Sequence, residues 1–392
     1  MSHSIQRARF VAEFNCLGAD CEDTCCKGWG MQVDASTEKL WRDTDPTLIT
    51  AVTGQPGHRT MVRDAATDYC IKFEDGLCGI QKPRGDRYLS DACHFYPRAL
   101  RGFGDTILVT AALSCPEIAR LALTRGASFA LEAGEMERIP GTLPDYKPVE
   151  LTTDEAISVH TAFLNAALDE TAAPARALMR IASVTESLTK LSVKSWPEAV
   201  PFYLTQAESR LLPPEPHPTD PAYLLQALCG LVAAAKKANQ PRLMETIARM
   251  ESALHLSIRW DNLAIAPLPD SMHATQNVWD GWKTWEAELA PVMRRYLAAQ
   301  LSLALFPYGG FGGTLTERIA IIGVRFATVR LALLCARSLS AGPMPEDLIV
   351  RTVQSLSRFL DHLADPEFSV KIYQETGWLQ PRRLRALAGD TI

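Results

Sequence analysis

The sequence lacks an excess of positive charge. Its 392 residues carry a formal net charge of −5, and the isoelectric point is about 6.0. A general nucleic-acid-binding protein usually presents a basic field, so the composition argues against nucleic acid as a partner. Apolar residues make up 47% of the chain and charged residues 22%, which is typical of a globular protein with a substantial core.

Uninterrupted apolar runs long enough to cross a membrane are also lacking. The run at 222–235 is too short, and Arg325 and Arg330 interrupt the run at 319–335. The first residues include arginines but no apolar segment of the kind found in secretion signals. We therefore expect a cytoplasmic protein with no membrane partner.

Cysteine is scarce after residue 115 and abundant before it. Only Cys229 and Cys335 follow, both in apolar helical runs where a thiol is usually a small core group. In a reducing compartment, clustered thiols are metal ligands more often than disulfides. Eight cysteines are therefore the predicted metal ligands: Cys16, Cys21, Cys25, Cys26, Cys70, Cys78, Cys93 and Cys115.

The cysteine spacing leaves the metal open. Thiolates suit both zinc and iron–sulfur clusters, and either centre accepts four of them. Eight thiols could form two four-thiolate sites, one site with spare cysteines, or a cluster with an open coordination position. The adjacent pair Cys25–Cys26 can serve one centre only on a tight turn, because consecutive side chains usually diverge. A structural zinc site and disulfides in an exported protein stay as alternatives.

The fold class predicted from the sequence is mainly α, in two parts. Residues 1–140 are irregular and rich in cysteine, which predicts a metal-binding domain with one short strand between 103 and 113. The segment 140–148 contains three prolines and reads as a linker. Residues 150–392 are predicted to form an all-α helical domain.

Several helix starts are readable from capping signals. Asp34 is a plausible N-cap for a helix to about Arg42, and Pro116 opens a helix after Cys115. The patterns Thr152-x-x-Glu155 and Thr314-x-x-Glu317 are capping boxes. The helix after Thr314 is apolar nearly all round, which predicts a central position among the helices.

Four ordered blocks surround the cysteines between residues 14 and 120. They are Phe14-Asn-Cys16-Leu-Gly-Ala-Asp-Cys21-Glu-Asp-Thr-Cys25-Cys26-Lys-Gly-Trp29, Cys70-x7-Cys78-Gly-Ile80, Ser90-x-x-Cys93-His-Phe-Tyr96-Pro97-Arg98 and Ser114-Cys115-Pro116-Glu117. This series resembles the flagellin lysine N-methylase family, and it is also similar to a broader group of zinc- or iron-chelating cysteine-rich modules.

The resemblance implies transfer of a methyl group from S-adenosyl-L-methionine to lysines of flagellin, with a cysteine-ligated [4Fe-4S] cluster. A lysine ammonium must lose its proton before it can attack the methyl group. Candidates for the base or for orienting groups stand beside cysteine ligands: Asp91, His94, Tyr96 and Glu117. Each has a structural reading as well, as a hydrogen-bond donor or part of a salt bridge.

Other readings of the sequence stay open. Radical S-adenosylmethionine enzymes use a Cys-x3-Cys-x2-Cys loop, but after Cys25 the third position is Gly28. The sequence therefore favours either polar methyl transfer beside a structural or donor-orienting cluster, or an unfamiliar arrangement. A non-enzymatic zinc- or iron-binding adaptor and a redox enzyme are the rivals. The sequence also favours core packing for Trp279, Trp282 and Trp285 and a surface or packing role for His362.

Overall fold

Helices dominate the chain, as the sequence predicts. The structure is a computed structural model, and it describes residues 4–126, 128–141, 143–236, 240–310 and 313–390. Within this part the α-helices are α1 Arg9–Ala12, α2 Ala35–Thr44, α3 Gln81–Arg84, α4 Asp91–Phe95, α5 Pro116–Leu123, α6 Thr153–Leu168, α7 Pro174–Leu188, α8 Trp196–Gln206, α9 Asp220–Ala234, α10 Pro241–Leu254, α11 Ser271–Asp280, α12 Trp282–Leu303, α13 Leu315–Ser338, α14 Glu346–His362, α15 Pro366–Glu375 and α16 Pro381–Ala388.

Short strands stand mostly in the first third of the chain. They are β1 Ser4–Ala8, β2 Gln32–Val33, β3 Val52–Thr53, β4 Arg59–Met61, β5 Phe73–Glu74, β6 Leu77–Cys78, β7 Arg98–Phe103, β8 Thr106–Ala111, β9 Leu131–Gly134, β10 Leu256–Arg259 and β11 Ala264–Pro267.

The capping signals predict the helix starts correctly. The Asp34 carboxylate accepts the hydrogen bond that caps α2. Thr152 with Glu155 forms a capping box at the start of α6, and Thr314 with Glu317 does the same for α13. Each box satisfies backbone N–H groups that the first helical turn would otherwise leave without partners.

The sheet content exceeds the prediction. Strand β8 confirms the strand predicted between 103 and 113, and it lies in a four-stranded sheet of order β7-β8-β1-β9. Strands β1 and β8 are parallel, with Ser4 opposite Thr106, and the other pairs are antiparallel. The hairpin of β10 and β11 makes the all-α description of the C-terminal part wrong at 256–267.

Helix α13 occupies the centre of the molecule. It contacts α7, α10, α12, α14 and α16. It is long and apolar enough to cross a membrane, but its apolar stretch is entirely buried among these neighbours. Such enclosure is typical of the core helix of a globular protein, and the predicted cytoplasmic location stays a prediction.

One apolar core joins the four-stranded sheet to the helices. It contains Ile5, Phe10 and Leu113 together with Phe326 and Leu333 of α13. We call the sheet, α1 and α5–α16 the helical body. The boundary predicted between residues 140 and 150 stays a prediction, and the residues on both sides of it contribute to this shared core.

A second, smaller core lies within residues 16–93, which we call the cysteine lobe. Its largest member is Trp41, which is 1% exposed and whose indole N–H donates to the Tyr88 carbonyl over 2.9 Å. The core is built from Met31, Val33, Trp41, Leu48, Ala51, Met61, Cys70, Ile80 and Leu89. Cysteines 26, 78 and 93 pack against its edge.

Candidate metal centre and adjoining pocket

Four cysteines of the lobe line one cavity of about 270 Å³. They are Cys25, Cys26, Cys78 and Cys93. Cys70 is buried beside them and interacts electrostatically with Cys25 and Cys78. All ten cysteines of the chain lie in the described part, and all carry free thiols. The structure therefore brings five predicted ligands together.

The Cys25–Cys26 doublet stands on a tight turn. The turn is fixed by the Cys26 N–H, which donates to the Thr24 hydroxyl over 3.2 Å, and by the Cys26 carbonyl, which accepts from the Cys70 N–H over 2.8 Å. Both thiols reach the same cavity and hydrogen-bond to each other. The condition for both to serve one centre is met by the geometry of this turn.

Gly28 follows the doublet with a φ of +89°, a conformation that L side chains rarely adopt. A Cβ at this position would also lie 2.6 Å from the Gln240 side-chain nitrogen of the helical body. The backbone conformation therefore favours glycine where the radical-enzyme loop has its third cysteine. The departure from that motif has a physical reason in the backbone.

Hydrogen bonding and burial shift the pKa values of the cavity thiols in different directions. The hydrogen bond from Cys26, with the positive charge of Arg358, lowers the pKa of Cys25 to about 7 against the opposing effect of burial. The same hydrogen bond and burial raise the pKa of Cys26. Burial raises the pKa of Cys93 to about 12. Thiolate metal binding at this cavity would release protons.

The remaining three predicted ligands do not line this cavity. Cys21 interacts electrostatically with Cys16 and Cys25, and Cys115 interacts with Cys21 and Cys25. Cys16 is exposed, whereas Cys115 is buried at the start of α5. The eight cysteines thus form a group of five and a group of three, with Cys25 a neighbour of both.

The thiols border a cavity without converging on one point. Among the described residues, no three His, Cys, Asp or Glu side chains are arranged to hold a single metal ion. A zinc ion needs four ligands, with each sulfur about 2.3 Å from it. A polynuclear cluster spreads its thiolates over a larger space than one ion does, and the soft thiol donors lining this cavity are of the type that both zinc and iron–sulfur centres use.

Helix α14 holds the cysteine turn against the helical body. The Arg358 guanidinium donates to the Asp23 carboxylate over 2.7 Å, to the Thr24 carbonyl over 3.1 Å and to the Lys27 carbonyl. It also lies 4.3 Å from the centre of the Trp29 ring. With 5% of its side chain exposed, this one arginine fixes residues 23–29.

A larger pocket of about 400 Å³ adjoins the cysteine cavity. Tyr96 and His362 line both cavities and form the wall between them. Their side chains are joined through Ser114, whose Oγ lies 3.2 Å from the Tyr96 Oη and 2.9 Å from the His362 Nε2. The Trp29 ring packs edge-on against both, at 5.0 and 5.1 Å between ring centres. The wall is therefore tightly held.

The pocket has a polar side built from three helices of the body. Asp361 of α14 accepts from Arg325 of α13 over 3.0 Å and from Gln300 of α12 over 3.3 Å. All three line the pocket, and so does Arg101, whose guanidinium lies 5.8 Å from the centre of the Tyr146 ring. Opposite charges therefore face the same space.

The four predicted catalytic residues are divided by the structure. Asp91 and Tyr96 line the larger pocket, and Asp91 also pairs with Arg138 over 2.6 Å. His94 and Glu117 do not line it within the described residues. Whether any of the four acts in catalysis stays a prediction.

The two residues outside the pocket have other surroundings. The His94 Nδ1 is buried without a hydrogen-bond partner in the described part of the chain, and burial lowers the pKa of this ring. Glu117 pairs with Arg120 over 2.7 Å, and Arg120 also pairs with Glu22 beside Cys21. Glu117 therefore belongs to the contact that fixes the start of the cysteine loop.

Sequence reasoning misses the contribution of α13 and α14 to the site. His362 lacks any ligand-like spacing, so the sequence favours a surface or packing role for it, yet it lines both cavities together with Tyr96. Arg325 offers a usable signal, because it is, like Arg330, a charge within the apolar stretch of α13. Such a charge needs a buried partner, which here is Asp361.

The tryptophans of α11 and α12 pack on arginines of the central helix. The Arg330 guanidinium lies 4.8 Å from the ring centres of both Trp279 and Trp282, and Arg337 lies 5.2 Å from that of Trp285. All three rings pack against the main core, as the sequence favoured.

Comparison with known proteins adds an independent finding. The chain is 30% identical over 138 residues to the flagellar biosynthetic protein FliU of Salmonella muenchen. The aligned region covers 33% of this chain and 82% of FliU. It is 29% identical over 140 residues to the lysine-N-methylases of Salmonella typhimurium and Salmonella choleraesuis. The chain belongs to the flagellin lysine N-methylase family. No family model and no solved structure matches it.

The similarity to the two lysine-N-methylases covers only part of each protein. It spans 33% of this chain and 34% of each relative, so the chain matches about a third of their length.

Proposed function

We propose that the protein methylates lysine side chains of flagellin, using S-adenosyl-L-methionine as methyl donor and a thiolate-bound [4Fe-4S] cluster as resident cofactor. The observation that supports it most is the shared wall of Tyr96 and His362 between a four-thiol cavity and a pocket of ligand size. The names of the relatives, lysine-N-methylase and a flagellar biosynthetic protein, support the reaction and the substrate.

The reaction is a polar transfer of a methyl group. The lysine amine, after losing its proton, attacks the sulfonium methyl group, so a C–N bond forms while the C–S bond breaks. The electron pair of the broken bond stays on sulfur, and the products are S-adenosyl-L-homocysteine, methyl-lysine and a proton. Asp91, Tyr96 and His362 are titratable pocket side chains and are the candidates for guiding that proton.

The pocket's chief contribution is alignment. Donor and acceptor must meet in line at near-attack distance, and holding them so removes much of the entropic barrier. Tyr96 and His362 are fixed by Ser114 and Trp29, so the pocket wall is ordered before substrates bind. A rigid wall of this kind favours one orientation of the donor.

The cluster would be held by thiolates of the cysteine cavity, which are Cys25, Cys26, Cys78 and Cys93, with Cys70 beside them. When bound, an iron–sulfur cluster supplies electron-transfer capacity and, at an iron with an open position, a Lewis acid. The free thiols, their common cavity and the tight turn at Cys25–Cys26 support this assignment.

An anaerobic transfer assay tests the proposal. Protein purified without oxygen is mixed with purified flagellin and methyl-labelled S-adenosyl-L-methionine, and iron, zinc and acid-labile sulfide are counted on the same sample. We expect label on flagellin lysines and a brown protein containing iron and sulfide. Absence of transfer from a sample with intact cluster would favour a metal-binding adaptor, and an obligatory electron donor would favour a redox enzyme.

Two matched variants sharpen the assay. Cys93→Ala removes a thiol that lines the cavity, so iron content and methyl transfer should both fall at least roughly tenfold. Cys335→Ala removes a buried thiol from the core helix and should leave both unchanged. Equal iron content in the two variants would contradict the assignment of the cavity.

A further inference from the structure

A buried pair of opposite charges forms one side of the larger pocket. The Asp361 side chain is 2% exposed and the Arg325 side chain 7%, and their nearest nitrogen and oxygen are 3.0 Å apart. Gln300 donates to the second carboxylate oxygen over 3.3 Å. Burying two charges is costly, and a pair kept at the wall of a cavity is a candidate for ligand recognition.

The remainder of the pocket suits a flat ring. Phe95, Tyr96 and Tyr146 contribute aromatic surface, and Ile321 and Ile322 of α13 contribute aliphatic surface. Apolar and aromatic walls with a few convergent polar groups are typical of small-molecule sites, whose volumes run from roughly 300 to 1,000 Å³. The volume of about 400 Å³ lies in this range.

Charge complementarity narrows the ligand class further. An α-amino acid carries an ammonium and a carboxylate within a few bonds of each other, and Asp361 and Arg325 present the matching charges side by side. Arg101, which stacks on Tyr146, adds positive charge at the same pocket. A lysine side chain carries only one charge, which is positive, so it would leave the arginines of the pocket without a partner group.

We infer that this pocket binds an α-amino acid head group joined to a flat ring, with Asp361 and Gln300 facing the ammonium and Arg325 and Arg101 facing the carboxylate. The inference rests on the proposed function in identifying that ligand as the methyl donor. It goes further because it gives the donor a site and an orientation next to the wall of Tyr96 and His362.

Two compounds distinguish the contribution of the amino acid head group to binding from that of the ring. S-adenosyl-L-homocysteine carries both, whereas 5′-methylthioadenosine keeps the nucleoside and the sulfur but lacks the amino acid. Equilibrium dialysis measures the affinity of each for the full chain. We expect S-adenosyl-L-homocysteine to bind at least roughly tenfold more tightly, because charge-assisted hydrogen bonds to the head group are lost with the second probe.

Three variants complete the test. Asp361→Asn should weaken S-adenosyl-L-homocysteine roughly tenfold and leave 5′-methylthioadenosine unchanged, which also shows that the variant is folded. Ala99 lines the larger pocket, so Ala99→Phe places a ring in the space that the ligand needs. This variant should weaken the binding of both probes. Glu288→Gln is the control, because Glu288 is also an arginine-paired carboxylate, bonded to Arg337 over 2.8 Å outside the pocket, and should alter neither affinity.

Several outcomes would overturn the inference. Equal wild-type affinities for the two probes would remove the head-group assignment, and unchanged binding by Ala99→Phe would remove the pocket. Competitive displacement of S-adenosyl-L-homocysteine by a flagellin lysine peptide would assign the pocket to the acceptor instead. Any of these results with methyl transfer intact leaves the proposed function standing, whereas wild-type protein that transfers no label fails the proposed function itself.

Discussion

The cysteine lobe and the helical body differ in what stabilises them. The body has one continuous apolar core that runs from Ile5 of β1 to Leu387 of α16, and such burial is its main source of stability. The lobe has a small core around Trp41, and its strands are two or three residues long. A core of that size is a weak source of stability, so small domains often depend on metals or other cross-links.

The two regions therefore contribute different parts of the candidate site. The body supplies Arg358 to fix the cysteine turn and Asp361 with His362 to line the larger pocket, all from α14. The lobe supplies the thiols. One helix therefore links the two cavities, and perturbing each region should produce effects of a different kind.

The largest expected effect on stability comes from the body. Leu333→Ala removes a fully buried side chain from α13 and should lower the free energy of unfolding of the whole molecule by about 2–5 kcal/mol. Urea unfolding followed by circular dichroism measures the change. Leu339→Ala, at a residue 51% exposed just after the same helix, should stay within about 0.5 kcal/mol. An unchanged midpoint for Leu333→Ala would refute the central role of α13.

A smaller and local effect is expected from Arg358→Met. It removes the charged partner of Asp23 and the donor to the Thr24 and Lys27 carbonyls, and leaves Asp23 only the neutral Gln354 amide. The cysteine lobe should therefore lose about 3 kcal/mol of local stability while the body keeps its own. Hydrogen exchange of peptides from residues 16–93 measures this loss. Arg351→Met on the same helix, at a side chain 41% exposed, should have no such effect. Equal exchange in both variants would contradict the tie between body and lobe.

A pH-dependent effect of about 1 kcal/mol is expected from Asp34. Burial raises the pKa of this carboxyl, but hydrogen bonds from Ser36, the Asp91 backbone and Thr37 outweigh it and lower the pKa to about 2. The stabilisation is therefore present above about pH 4 and is lost as the pH falls toward 2. Because Asp34 is partly exposed, solvent screening reduces its size to about 1 kcal/mol.

The variant Asp34→Asn measures how much the Asp34 carboxyl contributes to the pH dependence of stability. Asp34→Asn should flatten the acid-side slope of lobe stability, measured by hydrogen exchange between pH 2 and pH 5, without altering the slope for the body. A variant slope equal to that of the wild type would show that other carboxylates carry the pH dependence.

An effect of about the same size is expected from the cap of α13. Thr314→Ala removes the hydroxyl that accepts from the Glu317 N–H and should cost about 1 kcal/mol of global stability. Thr314→Ser keeps the hydroxyl and should retain most of that stability. Urea midpoints of the two variants decide the matter, and identical losses would show that the cap hydroxyl contributes nothing.

Local signals made much of the fold predictable. Asp34, Thr152 and Thr314 mark helix starts because a cap acts on backbone groups two or three residues away. The Cys25–Cys26 doublet is local in the same sense, because the turn that lets both thiols reach one cavity spans only a few residues. These features depend on short stretches of sequence.

The remainder depends on contacts between distant segments. Strand β1 pairs with β8 about a hundred positions later, so its short polar sequence gives no indication of a partner. The division of the cysteines into five and three follows from the tertiary placement of Cys70 and Cys115. His362 and Asp361 reach the pocket only because α14 packs beside α5 and the cysteine turn.

The dependence of methyl transfer on cluster content tests the account most directly. Protein stripped of metal is reconstituted anaerobically to graded iron and sulfide contents, and label transfer from S-adenosyl-L-methionine to flagellin is measured on each sample. The account predicts that transfer rises in proportion to bound cluster and is negligible without it. Full transfer by metal-free protein, or by protein loaded with zinc alone, would contradict it.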